Sequence, residues 1–336
     1  MRNGSGTFNL LTNSWNPATN GTPATAADYQ ALINDVAAAI TQSLSKDGQT
    51  AMTGNLPAGG NKITGLAAGT TAGDSVRYEQ LPATVNWRGY IDGLQMSASG
   101  STMTTSAGVG MDSTNASMLT LDSAIAKTAV GWAVGTGAGG LDTGAIANST
   151  WYHFYLIRRP DTGVVDSIFS TSASAPTLPA NYTQYRRYGS GKTDGAGQWT
   201  AFVQTGDNFA WYTPILDITA NNPGTSAVSR TLSVPTGIKV YARFNGGTTN
   251  GASSVFPYTY FSSLDTADLA PSATLAPLSM ANYSANNAGG SENNISTHTV
   301  KTNTSAQIRS RISASDANCN IRIATLGWID SRGRDA

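Results

Sequence analysis

The chain has 336 residues and no formal net charge, because 20 basic side chains balance 20 acidic ones. Charged residues make up only 12% of the sequence, while 36 glycines accompany abundant Ser, Thr, Asn and Ala. This balance leaves no basic footprint for nucleic acid or an anionic membrane. The composition fits β-rich, turn-rich extracellular or virion surfaces better than a metabolic enzyme.

Residues 1–24 are rich in Asn, Gly and Thr, a composition that favours disorder in an isolated chain. We predict that this segment anchors the chain on another protein, and the alternative is packing against other copies of the same chain. The candidate docking residues are its large apolar side chains, Phe8, Leu10, Leu11 and Trp15. The chain carries no basic-then-apolar signal sequence, which predicts folding in a reducing cytoplasm.

A helix that packs against other copies of the chain in a short bundle is predicted over residues 25–46. Thr25 is a candidate N-cap, with Asp28 three residues later as in a capping box. Four turns are marginal for a helix alone in water, so we expect copies to pack together. The apolar residues recur at helical spacing, as Tyr29, Leu32, Val36, Ile40 and Leu44.

The segment 47–82 combines turn dipeptides with isolated apolar residues. Asp47-Gly48 and Gly59-Gly60-Asn61 permit positive φ. The apolar residues are too sparse to close a core within one chain, so burial needs several copies. With the helix, this gives the candidate residues for the interface between copies, Leu32, Val36, Ile40, Leu44, Met52, Leu56, Ile63 and Leu66.

The stretch 47–81, which contains Asp47-Gly48-Gln49-Thr50 and Lys62-Ile63-Thr64-Gly65-Leu66, resembles the collar motif near the N-terminus of bacteriophage tail fibres and tailspikes. It departs from the family pattern at Ala58, where Met is common, and at Ser75, where Ala is common. The resemblance implies a homotrimeric structural protein of the virion tail. It also implies a phage tail or adaptor protein as partner for residues 1–24 and a host surface receptor for the distal part.

Residues 83–336 are predicted to form one distal β-sandwich of the jelly-roll kind, because short apolar runs alternate with Gly, Ser, Thr and Asn turns. The clearest hairpin joins residues 150–158 to 164–169 through the turn Pro160-Asp161-Thr162-Gly163. The region has no fixed-period repeat, which argues against a β-helix. The chain as a whole is therefore predicted to be mostly β.

No catalytic, metal or cofactor site is predicted. Asp142 and Asp161 each begin an Asp-Thr-Gly triplet, but loop and turn contexts explain both better than a protease dyad does. The chain has two histidines and one cysteine, Cys319, which is expected to be a buried thiol. Carboxylate pairs that cleave glycosides are not marked by any pattern, so a polysaccharide-depolymerising fibre remains an alternative.

Aromatic residues beside polar turns indicate a receptor surface, since aromatic rings stack on sugars. The alternative is that the rings only pack the sandwich. A neutral chain should bind a glycan with little dependence on salt. A connector or capsid fibre without receptor binding is a further alternative. The candidate contact residues are Tyr185, Arg186, Trp199 and Trp211.

Overall fold

The computed structural model describes residues 23, 25–41, 55, 58–75, 88–250, 257–272, 274 and 292–334. The chain divides into two compact units, Met1–Arg77 and Tyr78–Ala336. The division falls inside the predicted collar segment 47–82. The predicted contact residues outside the described ranges are Phe8, Leu10, Leu11, Trp15, Leu44, Met52 and Leu56.

The first unit contains one described helix, α1, at Ala26–Thr41. Its start is a capping box: Thr25 Oγ1 accepts the Asp28 N–H at 3.2 Å, and Asp28 accepts the Thr25 N–H at 2.9 Å. The N-cap predicted from sequence is therefore confirmed. Asp replaces the usual Glu or Gln, and its shorter side chain still reaches the Thr25 hydroxyl at 2.6 Å.

Several predicted trimer-interface side chains in this unit are exposed or half-buried in the single chain. Val36 is 38% exposed, Ile63 61% and Leu66 38%, whereas Leu32 is half-buried. Ile40 belongs to α1, but its side chain lies outside the description. The described part of this unit therefore leaves apolar surface for another molecule to cover, and the trimer stays a prediction.

The second unit is mostly β, and its strands are named in chain order. The first nine are β1 (Ile91–Gly93), β2 (Met96–Ser99), β3 (Thr102–Thr105), β4 (Gly108–Met111), β5 (Met118–Leu121), β6 (Ile125–Gly131), β7 (Gly139–Leu141), β8 (Trp151–Arg158) and β9 (Val165–Ser170). The others are β10 (Gln184–Lys192), β11 (Phe202–Thr205), β12 (Asn208–Asn221), β13 (Val228–Thr231), β14 (Tyr241–Asn250), β15 (Thr259–Ser262), β16 (Glu292–Lys301), β17 (Gln307–Ile312) and β18 (Cys319–Ile329).

These strands form four sheets. A seven-stranded sheet has the order β10-β8-β9-β7-β6-β3-β2, and a five-stranded sheet has the order β11-β12-β18-β14-β16. Two three-stranded sheets, β1-β4-β5 and β13-β17-β15, complete the described strands. Nearly all pairs are antiparallel, and the exceptions are β6 with β7 and β7 with β9. The mostly β fold class is therefore confirmed.

The hairpin predicted from the sequence is present. β8 and β9 pair antiparallel, with Arg158 opposite Val165 at the turn and His153 opposite Ser170 at the far end. In the turn, Gly163 has φ of 76° and donates its N–H to the carbonyl of Arg159 at 2.8 Å. Asp161 pairs with Arg159 in this exposed turn, at 2.7 Å, which agrees with its interpretation as a turn residue.

The hydrophobic core joins the two larger sheets. Trp151 of β8 lies 5.8 Å from Trp211 of β12 and 5.4 Å from Trp328 of β18, measured between ring centroids. Phe209 stacks on Trp328 at 5.0 Å with nearly parallel rings. Offset and edge-on aromatic contacts add about 0.5–1.5 kcal/mol each beyond the burial of their area. The same core cluster includes Cys319, so the predicted buried thiol is confirmed.

A buried ion pair, Lys127–Asp166, lies within the seven-stranded sheet. Both side chains are 1% exposed and their charged atoms are 2.7 Å apart. Lys127 Nζ also donates to the carbonyls of Ala133 and Gly135, at 2.7 and 2.9 Å. Asp166 accepts the N–H groups of Gly135 and Ser167, at 2.8 and 2.6 Å. The pair therefore holds the segment between β6 and β7 against β9.

Candidate functional site: a basic cleft

A cleft of about 640 Å³ opens in the second unit, where the end of β18 meets strands of both larger sheets. We call it the basic cleft. Arg186 and Arg187 come from β10, Asp330 and Arg332 follow β18, and Lys301 ends β16. The remaining lining residues are Ser113, Asn115, Tyr155, Ala173, Ser174, Tyr185, Asp207, Gly237, Ile238, Lys239, Tyr241, Thr304, Ile329, Ser331 and Gly333.

Arg187 and Asp330 form a bidentate ion pair in the basic cleft. The guanidinium donates two hydrogen bonds of 2.7 Å to the two carboxylate oxygens, and Asp330 is 2% exposed. Asp330 also accepts the Arg332 N–H at 2.7 Å. Burial favours the neutral acid, but attraction to Arg187 outweighs it and holds the pKa of Asp330 below its usual value. Asp330 is thus an ionised carboxylate whose charge is already paired with that of Arg187.

Arg186, by contrast, has no carboxylate partner among the described residues, although it is only 5% exposed. One terminal nitrogen donates to the carbonyls of Gly89, at 3.2 Å, and Arg332, at 2.9 Å. Its buried Nε has no hydrogen-bond partner among the described residues. Burial, followed by repulsion from Arg187, Arg334 and Arg332, lowers the pKa of Arg186 to about 10. The side chain therefore stays cationic at neutral pH without a countercharge of its own.

The carboxylate of Asp207 is shared between two cations. Arg332 Nε lies 3.0 Å from it, and Arg334 contacts its other oxygen. At the rim, Lys239 Nζ pairs with Asp265 at 2.8 Å. Lys301, at the end of β16, makes no ion pair within the described ranges. Positive charge therefore exceeds negative charge around the cleft.

Three tyrosines line the basic cleft, and two of them have accessible rings. Tyr155 is fully buried, donates its hydroxyl to the Ser172 carbonyl at 2.7 Å and contacts the Tyr185 ring edge-on at 5.9 Å. Tyr185 is half-buried, and Tyr241 at the start of β14 is 49% exposed. The cleft thus offers one anchored ring and two accessible rings beside its cations.

The four residues predicted to contact a receptor lie in two different places. Tyr185 and Arg186 line the basic cleft. Trp199 and Trp211 are 5% and 4% exposed, and their indole N–H groups donate to the carbonyls of Ser101 and Ser233. Both tryptophans belong to the core cluster, so we do not include them in a binding surface.

Several cleft residues escaped the sequence prediction, above all Lys301, Asp330 and Arg332. The run Asp330-Ser331-Arg332-Gly333-Arg334 is a usable signal, because it concentrates charge in a chain with only 12% charged residues. Lys301 has no such signal, since only the pairing of β16 with β14 brings it to the cleft.

Comparison with protein-family models, curated proteins and solved structures finds no match to this chain. Among the described residues, no group of His, Cys, Asp or Glu is arranged to hold a metal ion. No helix in the described ranges is long and apolar enough to span a bilayer.

Proposed function

We propose that this chain is a structural virion protein, a homotrimeric phage tail fibre. In this proposal residues 1–24 attach it to a tail or adaptor protein, through Phe8, Leu10, Leu11 and Trp15. Residues 25–82 form the trimeric bundle and collar. The second unit binds a receptor on the host surface, which we take to be a glycan.

The observation that carries the proposal is the collar-like stretch 47–81, in which the spacing of Gly, Thr, Met and Leu resembles that of phage fibres. Its described part contains the turn predicted at Gly59-Gly60-Asn61: Gly59 and Gly60 have φ of 57° and 82°, and the Asn61 N–H donates to the Ala58 carbonyl at 2.9 Å. The exposed apolar side chains of the first unit are a further support, since association would cover them.

The second unit supports the role of a distal binding domain. The aromatic contacts between its two larger sheets favour a β-sandwich, which keeps a rigid surface at the end of a fibre. The basic cleft provides a concave site of the size that ligand pockets have. Its accessible tyrosines beside charged groups are the combination that saccharide recognition uses.

Three measurements test the proposal. Antibody raised against this chain should label the tail in electron micrographs of particles, and sedimentation of the purified chain should give the mass of a trimer. A chain lacking residues 1–24 should stay trimeric but should not incorporate into particles. Label on the capsid, or a stable folded monomer, would refute the fibre.

An adsorption assay tests the receptor role separately. The purified chain should bind host cells and compete with virions for adsorption, without releasing soluble oligosaccharide from the host polysaccharide. Release of oligosaccharide would favour the depolymerase alternative. If the chain labels the tail but neither binds host cells nor releases oligosaccharide, the result would favour the connector-fibre alternative.

A further inference from the structure

The basic cleft carries more positive charge than the neutral chain as a whole. Its lining has five cations, Arg186, Arg187, Lys239, Lys301 and Arg332, and two carboxylates, Asp207 and Asp330, so three positive charges are in excess. Counting the charged groups that interact with this lining adds the cation Arg334 and the carboxylates Asp265 and Asp92, and leaves two positive charges in excess. The overall neutrality therefore conceals a local positive potential.

The excess cannot be relieved by rearranging the pairs inside the cleft. Asp330 is held bidentately by Arg187, and Asp207 is divided between Arg332 and Arg334. Arg186 remains without a carboxylate, with its Nε unpartnered among the described residues while the side chain is 5% exposed. A buried cation without a countercharge is costly, and an external anion would offset that cost.

The shape and the rings of the cleft distinguish between kinds of anion. A volume of about 640 Å³ is far more than a simple inorganic ion needs and suits a ligand of drug size. Tyr241, 49% exposed, and half-buried Tyr185 present ring faces or edges on which a saccharide ring can pack. An extended acidic peptide would satisfy the cations but would not need these rings.

We propose that the basic cleft binds an acidic saccharide, whose carboxylate lies among the cations and whose ring packs on a tyrosine. This inference names the receptor class for the proposed function and rests on it for its biological meaning. It also replaces the salt-insensitive binding expected from net charge: attraction between the carboxylate and the excess cations should weaken as salt rises.

Binding of the purified full chain to tetragalacturonate, measured by calorimetry, tests the inference directly. Two probes serve as comparisons. Galactotetraose is neutral and keeps only the sugar rings, and tetraglutamate is acidic and keeps only the carboxylates. Tetragalacturonate should bind at least tenfold more tightly than either, and its affinity should fall severalfold between about 50 and 300 mM salt. Equal affinity for tetraglutamate would identify an acidic-peptide site, and equal affinity for galactotetraose would remove the role of charge; each overturns the proposal.

Two variants in the cleft and one control in the first unit, all at exposed positions, locate the site. Lys301→Gln should weaken tetragalacturonate binding about fivefold, which is the scale of one exposed charge. Lys62→Gln makes the same charge change in the first unit and should have no effect. Tyr241→Ala should weaken the binding of tetragalacturonate but should leave the affinity for tetraglutamate unchanged. If Lys301→Gln behaves like Lys62→Gln, the cleft is not the site.

These outcomes are independent of the virion experiments. A fibre that labels the tail and binds cells but ignores tetragalacturonate would retain the proposed function and lose this inference. A chain that binds tetragalacturonate through Lys301 without labelling any particle would retain the inference about the cleft and lose the fibre.

Discussion

Removing the cation of the buried pair Lys127–Asp166 should strongly destabilise the second unit. Lys127→Met keeps most of the aliphatic length but leaves the Asp166 carboxylate, 1% exposed, without its countercharge. It also removes the donor to the Ala133 and Gly135 carbonyls. Breaking a buried pair on one side costs about 3–5 kcal/mol, because the remaining charge stays desolvated.

The same chain offers a matched control in the exposed pair Lys239–Asp265. The two side chains are 43% and 42% exposed, and their charged atoms are 2.8 Å apart, close to the separation in the buried pair. Lys239→Met should cost no more than about 1 kcal/mol, since solvent screens exposed pairs. The two ion pairs thus have nearly the same separation of charged atoms and differ in how deeply their side chains are buried.

Urea unfolding followed by tryptophan fluorescence measures both variants, with the slope of the free energy against urea checked for equality. Asp166→Asn and the double variant complete a cycle in which the double variant should be less destabilised than the sum of the two single ones. If Lys127→Met and Lys239→Met lose the same free energy within about 0.5 kcal/mol, burial is not what gives the pair its importance.

Three further predictions concern stability and assembly. Burial, followed by repulsion from Arg187, lowers the pKa of His153 from 6.5 to about 4. The unfolded state therefore binds the extra proton first, and stability should fall by about 3 kcal/mol as pH drops from 6.5 to 4. Urea unfolding at each pH measures this loss, and His153→Gln should flatten it. Val36→Asp should dissociate the proposed trimer, as measured by sedimentation, because it places a charge in the proposed interface, whereas the exposed control Asn34→Asp should not. Thr25→Ala should lower the stability of α1 by about 0.5–2 kcal/mol, because it removes the N-cap hydroxyl, whereas Thr25→Ser should not. Circular dichroism of residues 1–77 measures the helix content. Equal helix content in the two variants would show that the cap does not stabilise α1.

Some strands were predictable because their sequences carry a strong local pattern. In β17 and the first part of β18 buried and less buried side chains alternate, and the buried ones are mostly apolar, with Ser310 as an exception. β8 is a continuous run of aromatic and branched residues, and six consecutive side chains of it are buried. In these segments periodicity and burial agree, so the sequence alone locates the element.

Other strands carry no such pattern. β2, β3 and β4 read Met-Ser-Ala-Ser, Thr-Met-Thr-Thr and Gly-Val-Gly-Met, with too few apolar residues for a period to be visible. Pairing and packing stabilise them instead: β3 pairs with both β2 and β6, β4 pairs with β1 and β5, and β2 packs near β11. Local propensity is a weak guide where pairing and burial decide the conformation.

The basic cleft was only half predictable for a related reason. Tyr185 and Arg186 were found because aromatic and basic residues are adjacent in the sequence. Their grouping with Lys301 and Arg332 depends on the position of β18 in its sheet, which no short motif encodes. The net charge of the whole chain gave no indication of this cleft, because a chain with no net charge can still have a local excess of positive charge.

The central place of β18 also constrains how the unit folds during synthesis. β18 lies between β12 and β14, and the contact of Asp217 with Thr325 joins residues 108 positions apart. At about 5–20 residues per second, a ribosome takes roughly 5–20 seconds to make that span. Until β18 emerges, β12 and β14 lack the strand that lies between them in the sheet, so each has an unpaired hydrogen-bonding edge to which a strand of another chain would be able to pair. The five-stranded sheet is therefore completed only after the last strand of the chain has been made.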